Sequence, residues 1–387
     1  MLFTGCSAVG ALRFWAHGDE GTPARVELPP RQDPEIVWRR EVDFLPLGGN
    51  PAYSRPALIR LHDGTAAVAL GCEDGFVRIL SLDDGRELRR IALSDGVESG
   101  TLQLSDGTVV VGDITGTLYG VDPDGGRIRW RYSLSTLLLG SPVPIDDGFL
   151  VQTMDNRIYR FSRTGTKVWS FDGYPGGVSI YAAPDPLVVY APTRRVLAVL
   201  TTGDLIALKG ENGDLLWRKQ LLLNADAAVL SEMKAPIADM LALDRLHYGL
   251  DRVAPALLVP LYQGSLRILN RDTGEQVASR DLSLRAAPRL AGGRLFLADS
   301  GGVLRAVDIQ SGAVLWKRKL GVGEPTSVTP WKGWIWVADD RGLLRRFDMD
   351  GHPRGLLSFP GSIDRAPVVT PRGLIVRTSR GGLYLIH

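Results

Sequence analysis

Apolar and polar residues alternate along this chain in short stretches. Each stretch is rich in Val, Leu, Ile and aromatics and is bounded by Gly or Asp. Residues 108–134, TVVVGDITGTLYGVDPDGGRIRWRYSL, divide into strand, turn at Gly116, strand, turn at Gly125-Gly126, and strand ending near Trp130. Residues 293–320, GRLFLADSGGVLRAVDIQSGAVLWKRKL, follow the same plan. A period of two places successive side chains on opposite faces, which is the mark of β-strands. Bounding Gly and Asp supply the turn chemistry.

The turns recur. A first glycine stands at Gly75, Gly116, Gly203, Gly264, Gly302, Gly342 and Gly382, with Asn156 in one place. Asn is the non-glycine residue best suited to positive φ, so the exception obeys the same rule. A second glycine follows at Gly85, Gly126, Gly165, Gly213, Gly274, Gly312 and Gly351. Four residues beyond it stand Trp130, Trp169, Trp217 and Trp316, replaced elsewhere by Arg89, Ala278 and Gly355. A further strand precedes each unit, often opened by a proline: Pro56, Pro142, Pro255, Pro288 or Pro367. Proline has no N–H to donate and suits a strand's first residue.

Four antiparallel strands in a repeat of about 40–45 residues describe a propeller blade. Eight anchors predict an all-β fold, an eight-bladed β-propeller spanning residues 34–387. The last anchor leaves only Leu383–His387, too little for an outer strand. Residues 35–42, with Trp38 at the Trp position, are expected to complete the last blade and close the ring. The regular Trp positions fit packing between blades better than a ligand platform. Trp331, Trp334 and Trp336 break the pattern, and the functional reading of them is an exposed aromatic patch. The longest gap, from Gly203 to Gly264, holds an insertion at about 221–251 whose apolar spacing (Met233, Ile237, Met240, Leu241) allows a short helix. Long loops on rigid scaffolds often bind partners; the bland alternative is a disordered insertion.

Composition narrows the function. Lys+Arg 45 against Asp+Glu 43 gives a net charge of +2, which provides no net drive toward nucleic acid. No run of 18 apolar residues occurs. Two cysteines, Cys6 and Cys72, exclude a disulfide scaffold and a zinc ribbon. Cys72 lies in a strand-like stretch and reads as a small core residue. The five histidines show no metal-ligand spacing, and no Walker loop, Gly-x-Ser-x-Gly or His-Glu-x-x-His occurs. Asp122-Pro123-Asp124-Gly125 and Asp348-Met349-Asp350-Gly351 resemble the start of a calcium loop, but Ser133 and Phe359 stand where its Glu is needed. Both read as β-turns, as do Asp83-Asp84, Asp146-Asp147 and Asp339-Asp340. No catalytic residue, cofactor or metal is expected.

The units resemble the quinoprotein-type propeller repeat, carried by Ala306-Val307-Asp308-Ile309-Gln310-Ser311-Gly312-Ala313-Val314-Leu315-Trp316 and by Thr273-Gly274. Met1-Leu2-Phe3-Thr4-Gly5-Cys6 resembles the close of a bacterial lipoprotein signal, although Phe3 stands where Leu is usual. The bland alternative is a free cysteine in an irregular N-terminus. Eight such blades behind a Thr-Gly-Cys resemble the outer-membrane protein assembly factor BamB family.

That resemblance implies a non-catalytic scaffold lipoprotein, lipidated at Cys6, with residues 1–33 as signal remnant and flexible tether. It implies a place at the periplasmic face of the outer membrane, as a monomer within a larger complex. The implied partners are the periplasmic domains of the barrel subunit BamA and, further, unfolded outer-membrane proteins. Two contact loops carry over. The family's Leu-Ser-Leu-Arg corresponds to Val178-Ser179-Ile180-Tyr181, with the Arg replaced. Its Ile-Asp-Arg-Leu with a following acidic pair corresponds to Leu243-Asp244-Arg245-Leu246 and then Asp251. Ser179, Ile180, Tyr181, Asp244, Arg245 and Asp251 are thus the expected partner-binding residues. The alternatives are a propeller that binds another protein or polymer, and a quinone-dependent dehydrogenase. The latter usually carries adjacent cysteines and a longer chain.

Overall fold

The fold was read from a computed structural model, which describes residues 33–43, 54–134, 136–138, 140–174, 185–190, 193–221, 237–247 and 253–387. Their 32 strands form eight four-stranded antiparallel sheets. Seven are simple meanders in chain order, as in the first blade: Ala57–Arg60, Ala66–Gly71, Phe76–Ser81 and Glu87–Ala92. The blades after it cover 102–133, 143–171, 187–220, 241–280, 289–319 and 325–358. The eighth takes three strands from residues 368–386 and its outer strand, Ile36–Glu41, from the other end of the chain. The expected closure is therefore present. Trp38 lies opposite Leu385, and Glu35 and His387 exchange backbone hydrogen bonds of 3.1 and 3.0 Å.

Eight hydrophobic clusters lie between adjacent blades. The second strand of the first blade shows how the alternation builds them. Ala67 and Ala69 join Val109 and Val111 of the second blade, whereas Val68 and Leu70 join Ile375 and Leu385 of the eighth. Each of the two middle strands is thus buried on both faces, and one blade alone would leave both faces wet.

The tryptophans lock the ring. Trp38, Trp130, Trp169, Trp217 and Trp316 each cover the second-turn glycine of the next blade: Gly85, Gly165, Gly213, Gly274 and Gly351. A Cβ on any of these glycines would come within 2.5–2.8 Å of the indole. Positive φ (69–79°) gives the turn its second reason for glycine. Four of the five indoles also donate to that turn's carbonyls: Trp38 to Leu82, Trp169 to Gly210, Trp217 to Asp272 and Trp316 to Met349, at 2.9–3.2 Å. Arg89 stands in the Trp position and donates to Asp124 of the next blade. The packing reading of the repeat holds.

Gly355 also finds its reason here. The eighth blade is split between the termini, so its last two strands are not joined by a turn that a Trp could cover. The space above Gly355 is taken instead by Pro34, which a Cβ on Gly355 would strike.

Several expectations are corrected. The last anchor is Gly381 (φ 78°), not Gly382, and in the fifth blade Gln263 (φ 51°) takes the positive-φ place beside Gly264. Asn156 (φ 65°) behaves as expected. Trp336 is fully buried and Trp331 nearly so, so the aromatic patch does not form. The end of the supposed insertion, Leu241–His247, is the innermost strand of the fifth blade and is not helical. Its first half lies outside the described residues.

Candidate partner-binding face

The link from each blade's outer strand to the next inner strand shares one face of the ring with the turns between second and third strands. Three of these links are long: residues 42–56 join the eighth blade to the first, and two, residues 172–186 and 221–240, enter and leave the fourth blade. The described ends of this pair meet at the inner rim. Asp185 closes the first of the two, just before Pro186, and Asp239 closes the second.

The two carboxylates form a chain with their neighbours. Ser141 donates its N–H to Asp185 Oδ1 at 2.6 Å, and Asp185 donates its own N–H to Asp239 Oδ1 at 3.4 Å. Arg289 reaches Asp239 Oδ2 at 3.5 Å. Burial, and then the Asp239 charge, push the Asp185 carboxyl up to about 6; Arg365, the Ser141 N–H and Arg55 pull the other way. Further round the rim, Arg285 bridges Glu324 and Asp364 at 3.4 and 3.5 Å, and Ser362 donates to Asp364 at 2.7 Å. The arrangement suits recognition. It sets out fixed charges on a rigid ring, with an acid pair flanked by two long connections.

Sequence reasoning missed Asp185 and Asp239. A signal existed: Asp185-Pro186 places an acid where Ser141-Pro142 and Ala287-Pro288 place small residues.

Among the expected contact residues, Asp244 and Arg245 are exposed on the inner strand of the fifth blade. They occupy a bulge, since Leu243 pairs with Ala256 and Leu246 with Ala254. Arg271 donates to Asp244 Oδ1 at 2.6 Å. Arg271 and Asp272 belong to the turn between third and outer strands, so Asp244 and Arg245 approach the face opposite the Asp185–Asp239 rim. Ser179, Ile180 and Tyr181 fall within the link 172–186, whose described ends reach the rim face, where Asn156 donates to the Tyr174 carbonyl. Ser179, Ile180, Tyr181, Asp251 and Cys6 lie outside the described residues, so of the two expected loops only Asp244 and Arg245 are placed.

The remaining candidate chemistry is structural. Asp43, Cys72 and Asp74 approach one another closely enough to suggest a metal site. Yet Asp43 is committed to Arg377 and to the Glu73 N–H, and Asp74 to Arg78. Burial, with Asp43 adding, pushes the Cys72 thiol up to about 12, far from a ligating thiolate. Cys72 is the small core residue expected. Asp122 accepts from the N–H groups of Asp124 and Gly125, and Asp348 from those of Asp350 and His352, so both acidic stretches are turns.

An eight-bladed propeller with interlocking tryptophans and quinoprotein-type repeats defines the class. The sequence model described as "Outer membrane protein assembly factor BamB" matches residues 73–239 and 257–354. The chain belongs to the BamB family of outer-membrane protein assembly factors. It is 23% identical over 371 residues to BamB of Burkholderia pseudomallei, covering 92% of this chain and 89% of that protein. The crystal structure of BamB from Moraxella catarrhalis superposes with a TM-score of 0.71 at 18% identity, covering 88% of this chain and 98% of that one. A quinohemoprotein alcohol dehydrogenase from Pseudomonas putida shares the fold, with a TM-score of 0.66 at 11% identity over 91% of this chain and 76% of its own. At 11% identity that likeness shows the fold alone.

Proposed function

We propose that this chain is a non-catalytic scaffold lipoprotein of the outer-membrane β-barrel assembly machinery. In this reading residues 1–33 form the tether, Cys6 carries the lipid, and residues 34–387 form the propeller at the periplasmic face of the outer membrane. The propeller binds the periplasmic domains of BamA and aids folding and insertion of outer-membrane proteins. Family membership across most of the chain carries this reading. The convergence of two long links on the Asp185–Asp239 rim adds a surface suited to it. Family contact positions Ser179, Ile180 and Tyr181 belong to one of those links by sequence, and Asp244 and Arg245 lie toward the other face.

The test is binding of purified BamA periplasmic domains to the parent and to two double variants, Ile180→Ala/Tyr181→Ala and Asp244→Ala/Arg245→Ala. Truncating an anchor in a binding hot spot costs about 2 kcal/mol or more, so the first pair should weaken binding by roughly thirtyfold at an unchanged melting temperature. Loss in the second pair as well means that the partner spans both faces. Parent protein that ignores BamA, or binding unchanged in both variants, overturns the proposed interface. Quinone-dependent dye reduction that saturates with added cofactor would overturn the scaffold reading.

A further inference from the structure

We infer that the lateral groove between the sixth and seventh blades is a second membrane contact, which takes the anionic headgroup of a phospholipid. The inference rests on the reading above only in placing the chain at a membrane. The groove encloses about 650 Å³. Its sixth-blade wall is Arg318, Lys319 and Leu320; its seventh-blade wall includes Phe347, Pro353 and Leu356.

Three observations carry the inference. The first is charge. Arg318 is held by the carbonyls of Gly351 and Lys317, at 2.8 and 2.9 Å, and by no carboxylate among the described residues. Its guanidinium is therefore fixed in place with its charge uncompensated, and Lys319 beside it is exposed. Arg345, also on the groove, is already neutralised by Asp339 at 2.6 Å. Against Asp33, the one carboxylate among the lining residues, Arg318 and Lys319 leave the groove net positive for an anion. The second is the apolar floor. Leu356 is 58% exposed and stands beside the buried Phe347 and Leu320, so a ligand with an anion at one end and hydrocarbon at the other matches the walls. The third is position. Asp33 lines the same groove, and Pro34 packs against Gly355 at its edge. The chain that leads to Cys6 therefore leaves the propeller at this groove. An anchor at Cys6, 27 positions before Asp33, raises the effective concentration of this side of the ring at the lipid. One acyl anchor is weak alone, and a basic patch is the usual second signal.

The test uses the unlipidated Cys6→Ala chain, without BamA, and vesicles of phosphatidylcholine with or without phosphatidylglycerol. Its outcome is independent of the BamA experiment. The parent is expected to bind only vesicles containing phosphatidylglycerol. Each Lys or Arg near an anionic surface is worth about 1 kcal/mol, so Arg318→Ala/Lys319→Ala should weaken that binding by roughly thirtyfold. Arg163→Ala/Lys167→Ala, exposed on the third blade, should leave it unchanged. Leu356→Asp should also release the protein from vesicles, with Leu356→Ser in its place if the Asp variant melts early. Equal loss in the third-blade control would show diffuse electrostatics and overturn the inference. So would a parent that ignores phosphatidylglycerol. Inorganic phosphate binding that Arg318→Ala/Lys319→Ala abolishes, with vesicle binding untouched by Leu356→Asp, would make the groove a site for free anions and overturn the lipid assignment.

Discussion

The seam between the eighth and first blades and the rim beside the fourth blade both interrupt the repeat, yet they treat charge in opposite ways. At the seam, Asp43 meets Arg377, both almost fully buried. Arg377 also donates to the carbonyls of Ser54 and Gly71, at 2.9 and 3.0 Å, and so ties the last blade to the first. At the rim, Asp185 faces another acid, Asp239, which Arg289 reaches at 3.5 Å. The seam satisfies its charges because a ring must not open. The rim leaves like charges together, which costs stability and is the usual condition of a surface that waits for a partner.

The largest effect should come from breaking the seam. Deleting residues 34–44 removes Trp38 and a whole outer strand and exposes the edge of Gly382–Ile386. We expect loss of cooperative melting, followed by circular dichroism, whereas deletion of 7–30 leaves it intact. Similar melting of both truncations would sink the closure argument. Within the seam, Arg377→Met leaves Asp43 buried and unpaired and should cost about 3–5 kcal/mol. Adding Asp43→Asn should restore much of that loss. If the double variant is as unstable as the single, the pair is not the reason.

The rim offers a smaller, pH-dependent effect. With its value raised from 3.8 to about 6, Asp185 holds its proton more tightly in the folded chain than in the unfolded one. Its favourable contribution is complete below about pH 4 and is lost as the pH rises through about 6. Asp185→Asn should therefore melt like the parent at pH 4 and above it at pH 7.5. A difference that does not change with pH would show that neither burial nor Asp239 opposes its ionisation.

The contrast explains what could be read from the chain alone. Blade number, closure by Trp38 and the packing role of the tryptophans follow from period and spacing, because every unit repeats one packing problem. Gly264 and Gly382 misled by one residue. Gln263 tolerates the left-handed turn, and Gly381-Gly382 offers two candidates. The inner strand Leu241–His247 was hidden because its bulge at Asp244-Arg245 breaks the alternation and its approach is long. Asp185 and Asp239 escaped notice because their closeness is set by the ring, across a sequence separation no local pattern records. The missing tryptophan at Gly355 carried meaning only once Pro34 was seen above it.

The smallest expected effect decides how Asp244 belongs to this comparison. Its carboxylate is largely exposed, while its partner Arg271 is buried, at 2.6 Å. An exposed acid gains little from such a pair, since water and salt screen it. Arg271 also keeps Asp272 at 3.7 Å after Asp244 is removed, so no buried cation is stranded. Asp244→Ala should thus cost less than about 1 kcal/mol, with the difference shrinking in high salt. A loss of several kcal/mol would place Asp244 with the seam, as a structural charge. A negligible loss in melting combined with weakened BamA binding would place it with the rim, as a charge kept exposed for a partner although it stands at the other end of the inner strand.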